Sequence, residues 1–214
     1  MNIRPASDRS ILVEFGTDIS LESHRRVFHL TRALEGVRGI LNLHPAYASL
    51  LVEFDPRMHD HAQMEALVRE RGAREATESG HAEGRLVEIP VKYGGEFGPD
   101  LADVAKHTGL APERVIEMHS SAEYLVYFLG FAPGFAYLGG LPPELATPRL
   151  SAPRKHVPAG SVAIGGNQTG VYPMVSPGGW RIIGHTDAKM FDPGADEPAL
   201  LRMGDQLRFV RVAS

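Results

Sequence analysis

The chain has 214 residues, of which 43% are hydrophobic and 22% charged, and its formal net charge is −4. That length suffices for one large domain or two small ones, each with its own core, and the composition is that of a folded globular protein. The mildly acidic balance argues against a nucleic-acid or anionic-membrane surface, and the absence of cysteine excludes disulfides, thiolate metal sites and a cysteine nucleophile. The opening MNIRPASDRS lacks the apolar stretch of a signal peptide, and no apolar run is long enough to span a bilayer. The expectation is a soluble, cytoplasmic protein.

Ser10 to Phe15 reads as the first strand, dense in Ile, Leu and Val. Ser20 then caps a helix whose apolar positions Val27, Leu30 and Leu34 recur at helical spacing, and Gly36 ends it. Strands follow near Gly39–Leu43 and Tyr47–Phe54, with His44 and Pro45 as turn material between them. Asp60 and Gln63 form a capping-box pattern for a second helix carrying Met64, Leu67 and Val68 on one face. The order strand, helix, strand, strand, helix predicts an α+β, ferredoxin-like N-terminal domain over residues 1–80.

Gly72 to Arg85 is polar and short of apolar anchors, as expected of an interdomain linker. Beyond it glycine and proline are frequent, and short apolar runs alternate with turn signals: Leu86–Val91, Tyr124–Leu129, Ser161–Ile164, Trp180–Ile183 and Gln206–Val212. This rhythm predicts a mainly-β barrel or sandwich over residues 85–214. Two helices interrupt it early, Asp100–His107 and Pro112–His119, the first capped by Asp100 and the second opened by proline.

Two segments stand out as candidate sites. In YFLGFAPGFAYL, Gly130 and Gly134 bracket Pro133 and force a sharp turn that carries Phe128, Phe131, Phe135 and Tyr137. Most aromatics belong to cores, but a surface turn is a poor place to store core mass, so at least one of these rings is expected to face a ligand or partner. Phe135 is the ring expected to anchor an interface. The second segment, Pro153 to Thr186, crowds Arg154, Asn167, Gln168, Thr169, Tyr172, Ser176 and Trp180 among glycines and prolines. Hairpin turns account for the Gly, Asn and Ser content but not for Arg, Gln, Thr, Tyr and Trp in the same turns. Arg154 suits a carboxylate or phosphate through its fork, while Gln168 and Thr169 can bond a small polar ligand.

Motifs of catalysis are scarce. Ser161, Ser176, His156, His185 and Asp187 can be combined into a triad on paper, yet with ten histidines such combinations arise by chance and no G-x-S-x-G is present. His59-Asp60-His61 sits at a helix start where Asp60 already has a capping role, and neither H-E-x-x-H nor an EF-hand loop occurs. The phosphate-binding G-x-x-x-x-G-K-[ST] is also missing. Catalytic residues stay unassigned and no metal site is expected.

Four strings, HPAYASLLVEFDP, IPVKYGGEFGPDL, LGFAPGFAYLGGL and the Pro153–Thr186 block, resemble in order and spacing the KipI/PxpB family, also called allophanate hydrolase subunit 1. Lys92 and His185 depart from the residue types the resemblance leads one to expect. The resemblance implies a small α+β domain followed by a cyclophilin-like β-barrel. It implies membership of an ATP-dependent 5-oxoprolinase complex that opens 5-oxoproline to glutamate, with ATP as co-substrate and with A-subunit-like and C-subunit-like partners. Other members of the family inhibit a sensor histidine kinase, and related domains occur in the carboxyltransferase part of urea carboxylase. These remain the alternatives, a kinase regulator and a carboxyltransferase-type subunit. The implied site is composite, with this chain inactive alone.

Overall fold

In the computed structural model, which describes residues 1–75 and 84–213, the first element is a strand not expected from the sequence. Strand β1 (Asn2–Ser7) turns back as a hairpin onto β2 (Ser10–Glu14), followed by α1 (Leu21–Leu34), β3 (Ile40–Pro45), β4 (Ser49–Phe54) and α2 (His61–Glu75). These belong to the first of two compact units, Met1–Ala82 and Glu83–Ser214. The four strands form an antiparallel sheet in the order β1-β2-β4-β3. The expected ferredoxin-like order lacked β1 because nearly all its side chains are exposed, so no burial pattern marks it, and Pro5 suits only an edge.

Local chemistry sets the helix starts. Ser20 Oγ accepts the Ser23 N–H at 3.1 Å. Asp60 and Gln63 cap each other reciprocally: the Gln63 N–H donates to Asp60 at 2.8 Å and the Asp60 N–H to the Gln63 side chain at 2.9 Å. Leu30 and Leu34 of α1 and Met64 and Val68 of α2 pack on Ile11, Val13, Leu50, Val52 and Phe54, which alternate along β2 and β4. Two details differ from expectation. His44 and Pro45 close β3 rather than forming the turn, and α2 continues through Gly72 to Glu75 into the expected linker. A helical glycine costs about 1 kcal/mol relative to alanine, which the helix's apolar face offsets. The remainder of that linker, 76–83, lies outside the described residues.

The second unit opens with β5 (Leu86–Tyr93), α3 (Leu101–Thr108) and α4 (Pro112–Ser121). Strands β6 (Tyr124–Leu129), β7 (Ala136–Gly139), β8 (Arg154–Val157), β9 (Ser161–Gly165), β10 (Gln168–Val171), β11 (Ser176–Gly178), β12 (Arg181–His185) and β13 (Gln206–Arg211) follow. Seven of them form one sheet, β10-β9-β12-β5-β13-β6-β7, while β8 and β11 pair separately as a ribbon. The two edge strands, β7 and β10, lie against each other, so the sheet nearly closes into a barrel. Gly170 permits this approach: a Cβ there would stand 3.3 Å from the Ala136 carbonyl oxygen.

Period-two alternation divides the side chains between two cores. Val162 and Ile164 of β9 point inward with Ile89, Val91, Val126, Leu138 and Phe209, under a cover that includes Val104 of α3 and Val115 of α4. Ala163, between them, joins an outer cluster with Phe135, Val157, Tyr172, Trp180 and Ile182. The barrel's first and last strands run parallel, Leu86 opposite Gln206, and Asp205 ties them by accepting from the Arg85 guanidinium at 2.6 Å.

Candidate functional site

Five of the ten residues singled out from the sequence meet on the outer face, around Phe135. The ring centroid of Phe135 lies 5.4 Å from Phe131, 5.1 Å from Tyr137, 5.8 Å from Tyr172 and 5.6 Å from Trp180, each in edge-to-face geometry. Glycines make room for this packing. A Cβ on Gly165 would collide with the Trp180 indole, and one on Gly178 with the Tyr172 hydroxyl. The Tyr172 hydroxyl is buried, which pushes its pKa up. Phe135, the expected anchor, is interior at 3% exposure, whereas Phe131 is 62% exposed.

Phe131 also has unusual backbone. Its φ is +67°, the sole positive value for a non-glycine among the described residues. The Ala132 N–H donates to the Gly130 carbonyl at 2.8 Å, closing a three-residue γ-turn with Phe131 at its apex. The positive-φ form of this turn is the rarer and more strained one, costing about 1–3 kcal/mol for such a residue. Two further bonds hold it, Phe135 N–H to Ala132 at 3.0 Å and Gly130 N–H to Phe135 at 3.1 Å.

The β8–β11 ribbon borders the same face. Arg154 opposes Gly178 and Val157 opposes Ser176, with a bulge between, so Arg154, Val157 and Ser176 share one side. Arg154 is not the open fork expected for an anionic ligand. Its Nη2 donates to Asp100 at 2.7 Å, and the second Asp100 oxygen accepts the Ile182 N–H at 2.7 Å. Asp100 makes no side-chain cap on α3; burial with these two partners takes precedence over the expected capping role. Arg154 Nη1 and Ser176 Oγ are buried without a partner.

Gln168 and Thr169 cannot serve one ligand, because neighbouring residues of a strand face opposite sides. Gln168 opposes Gly165 on the aromatic side, while Thr169 opposes Ile164 and is fully buried in the inner core. There Thr169 Oγ1 donates to the Ala163 carbonyl at 3.1 Å and is 2.8 Å from His119 Nε2. The imidazole must therefore donate from Nε2, so Nδ1 accepts from the Tyr93 hydroxyl at 2.8 Å. Burial lowers the His119 pKa to about 3 and keeps this core histidine neutral. Asn167 is exposed in the two-residue turn between β9 and β10, beside Gly166 with φ +66°. It serves the hairpin.

Sequence reasoning missed Arg149, whose guanidinium sits 5.7 Å from the Trp180 ring centroid. It also missed that Lys92 and His185 are cross-strand partners, joined through Asp187 at 3.0 and 3.4 Å. Ser161 opposes His185 on the next strand. Among the described residues no cluster of three or more metal-ligating side chains occurs. None of the ten residues lines the cavity of about 230 Å³ at Tyr93 and Arg211, or that of about 400 Å³ beside Phe15 and Leu30. No described helix is long and apolar enough to cross a membrane.

The second unit is thus a nearly closed seven-strand barrel that carries an aromatic cluster on its outer side. The family described as "Carboxyltransferase domain, subdomain C and D" matches residues 1–201. A relative from Escherichia coli O157:H7, the B subunit of 5-oxoprolinase, is 47% identical over 95% of this chain and 92% of its own length. Another of the same name from Bacillus subtilis is 43% identical over 99% of this chain and 92% of its own. The crystal structure of TTHA0988 superposes with a TM-score of 0.84 at 39% identity, covering 96% of this chain and only 40% of that one. The chain belongs to the carboxyltransferase subdomain C and D family, within the KipI/PxpB group of 5-oxoprolinase B subunits.

Proposed function

We propose that this chain is the B subunit of an ATP-dependent 5-oxoprolinase, a cytoplasmic complex with A-subunit-like and C-subunit-like partners that opens 5-oxoproline to glutamate. The observation that carries this reading is the 47% identity, over nearly the whole of both chains, to a protein of that name. On the same reading the barrel is cyclophilin-like. The first unit is then a variant of the ferredoxin-like arrangement in which β1 fills the open edge.

Opening an unstrained lactam with water is slow because the amide is resonance-stabilised and nitrogen leaves poorly. Transfer of the γ-phosphoryl group of ATP to the amide oxygen, with ADP leaving, would activate the carbon for attack by water. The adduct would open by C–N cleavage, with the nitrogen taking a proton, to an acyl phosphate whose hydrolysis gives glutamate and phosphate. Such chemistry needs a phosphate site and charge stabilisation. The sequence carries no phosphate loop, and the aromatic face offers apolar walls with a neutralised arginine. Those properties suit one wall of a composite site whose nucleotide-binding groups lie on a partner.

The test is reconstitution. Purified chain alone is expected to release no glutamate from 5-oxoproline and ATP, and addition of both partners is expected to restore release. Activity of the chain by itself would overturn the composite site. A complete mixture that is inactive, with a chain that instead suppresses histidine-kinase autophosphorylation, would replace the enzyme reading with the regulatory one.

A further inference from the structure

We propose that Phe131 is the anchor by which the barrel docks onto a partner protein, seated in an apolar socket there with an acidic group opposite Arg149. The proposal rests on the subunit reading above and deepens it.

The strained turn is the first ground. Glycine would adopt φ +67° at position 131 without penalty, yet phenylalanine stands there. The ring gives the isolated barrel little in return, since it touches Phe135 by an edge and remains 62% exposed. Strain of this kind persists where the surroundings enforce it, and it concentrates at functional positions. The surroundings do enforce it: Gly134, at φ +82°, lies so close to the Met190 backbone that a Cβ would stand 2.7 Å from its carbonyl oxygen. The turn is thereby wedged in place and the ring is held outward.

The second ground is the neighbourhood. The connection from β10 to β11 starts at Tyr172, which also packs on Phe135, and goes on to the exposed Met174 and Val175, the latter 62% exposed. Two loops meeting at one buried ring thus both present apolar side chains, the pattern of an interface centre. Arg149 adds the chemistry of the rim. Its exposed cation lies by the Trp180 face, and no ion pair joins it among the described residues. A partner offering a carboxylate there would pair with it in a setting partly shielded from water. The occupant is a protein chain and not a small anion, because the exposed groups are mainly apolar and spread over two loops. That this chain spans 40% of TTHA0988 fits a further chain seated beside it.

The test measures binding of the intact chain to the C-subunit-like protein of the same organism, by co-elution and by titration calorimetry. Phe131→Ala and Phe131→Gly should each weaken association at least about tenfold. Phe131→Gly should at the same time hold or raise the melting temperature of the isolated chain, because it releases the backbone strain. Arg149→Glu should weaken association and make the residual binding less sensitive to salt. Wild-type-like affinity of Phe131→Gly overturns the proposal while leaving the subunit reading intact. Failure of the wild-type chain to bind at micromolar concentration overturns both.

Discussion

Asp100 and Arg154, 54 positions apart, are joined by a 2.7 Å hydrogen bond, and the other oxygen of the same carboxylate holds the Ile182 N–H at 2.7 Å. One buried side chain thereby fastens the start of α3, strand β12 and the ribbon strand β8. Asp100 is 4% exposed, so these two donors stand in for the water its carboxyl group loses on folding.

Removal of either partner should therefore cost stability in unequal measure. Asp100→Ala is expected to destabilise by about 3 kcal/mol in urea unfolding, since it strands a buried N–H and a half-buried guanidinium. Arg154→Ala should cost less, about 1–2 kcal/mol, because the carboxylate keeps its backbone donor and the arginine is partly in water. Equal, negligible effects would show that the pair does not hold the ribbon.

His119 makes stability depend on pH. Its folded pKa is about 3 against an ordinary 6.5, because burial disfavours the imidazolium. The unfolded chain then binds more protons than the folded one between these values. The contribution is fully present above pH 6.5 and shrinks as the pH falls, by about 1.4 kcal/mol per unit at most. His24, lowered to about 4 chiefly by burial, acts in the same direction. The stability gap between wild type and His119→Gln should narrow by about 2–3 kcal/mol from pH 7 to pH 4.5, as read from urea melts. A gap constant with pH would contradict the neutral, buried imidazole.

Gly165→Ala tests the packing of the aromatic face. The added methyl would overlap the indole, so Trp180 must move or the strand must shift, at a cost of about 1–3 kcal/mol. Trp180 is the single tryptophan of the chain, which makes its emission a direct reporter. A red shift with a lowered melting temperature is expected. Unchanged emission and stability would mean that Trp180 does not rest on Gly165.

Phe135→Ala, by contrast with changes at Phe131, should act through folding. The ring is at the centre of five aromatics and almost wholly buried, so truncation is expected to cost about 3–5 kcal/mol. Thermal unfolding measures it.

Local signals in the chain settled most of the elements. The caps at Ser20 and at Asp60–Gln63, the helical spacing of Val27, Leu30 and Leu34, and the alternation of Leu50, Val52 and Phe54 all depend on contacts within a few residues. The clustering of Phe131, Phe135, Tyr137, Tyr172 and Trp180 was foreshadowed by their density among glycines. Which ring faces water was not, because a turn's composition leaves φ at Phe131 open until Met190 presses on Gly134. Strand β1 escaped notice because an edge strand buries too little to leave a period in its residues. The division of Gln168 from Thr169, the transfer of Asp100 from helix cap to ion pair, and the pairing of Lys92 with His185 were likewise decided in three dimensions. The last two join segments far apart in the chain, and which face of β10 turns inward is set by the packing of the whole sheet, because a one-residue slip would turn every side chain to the other face.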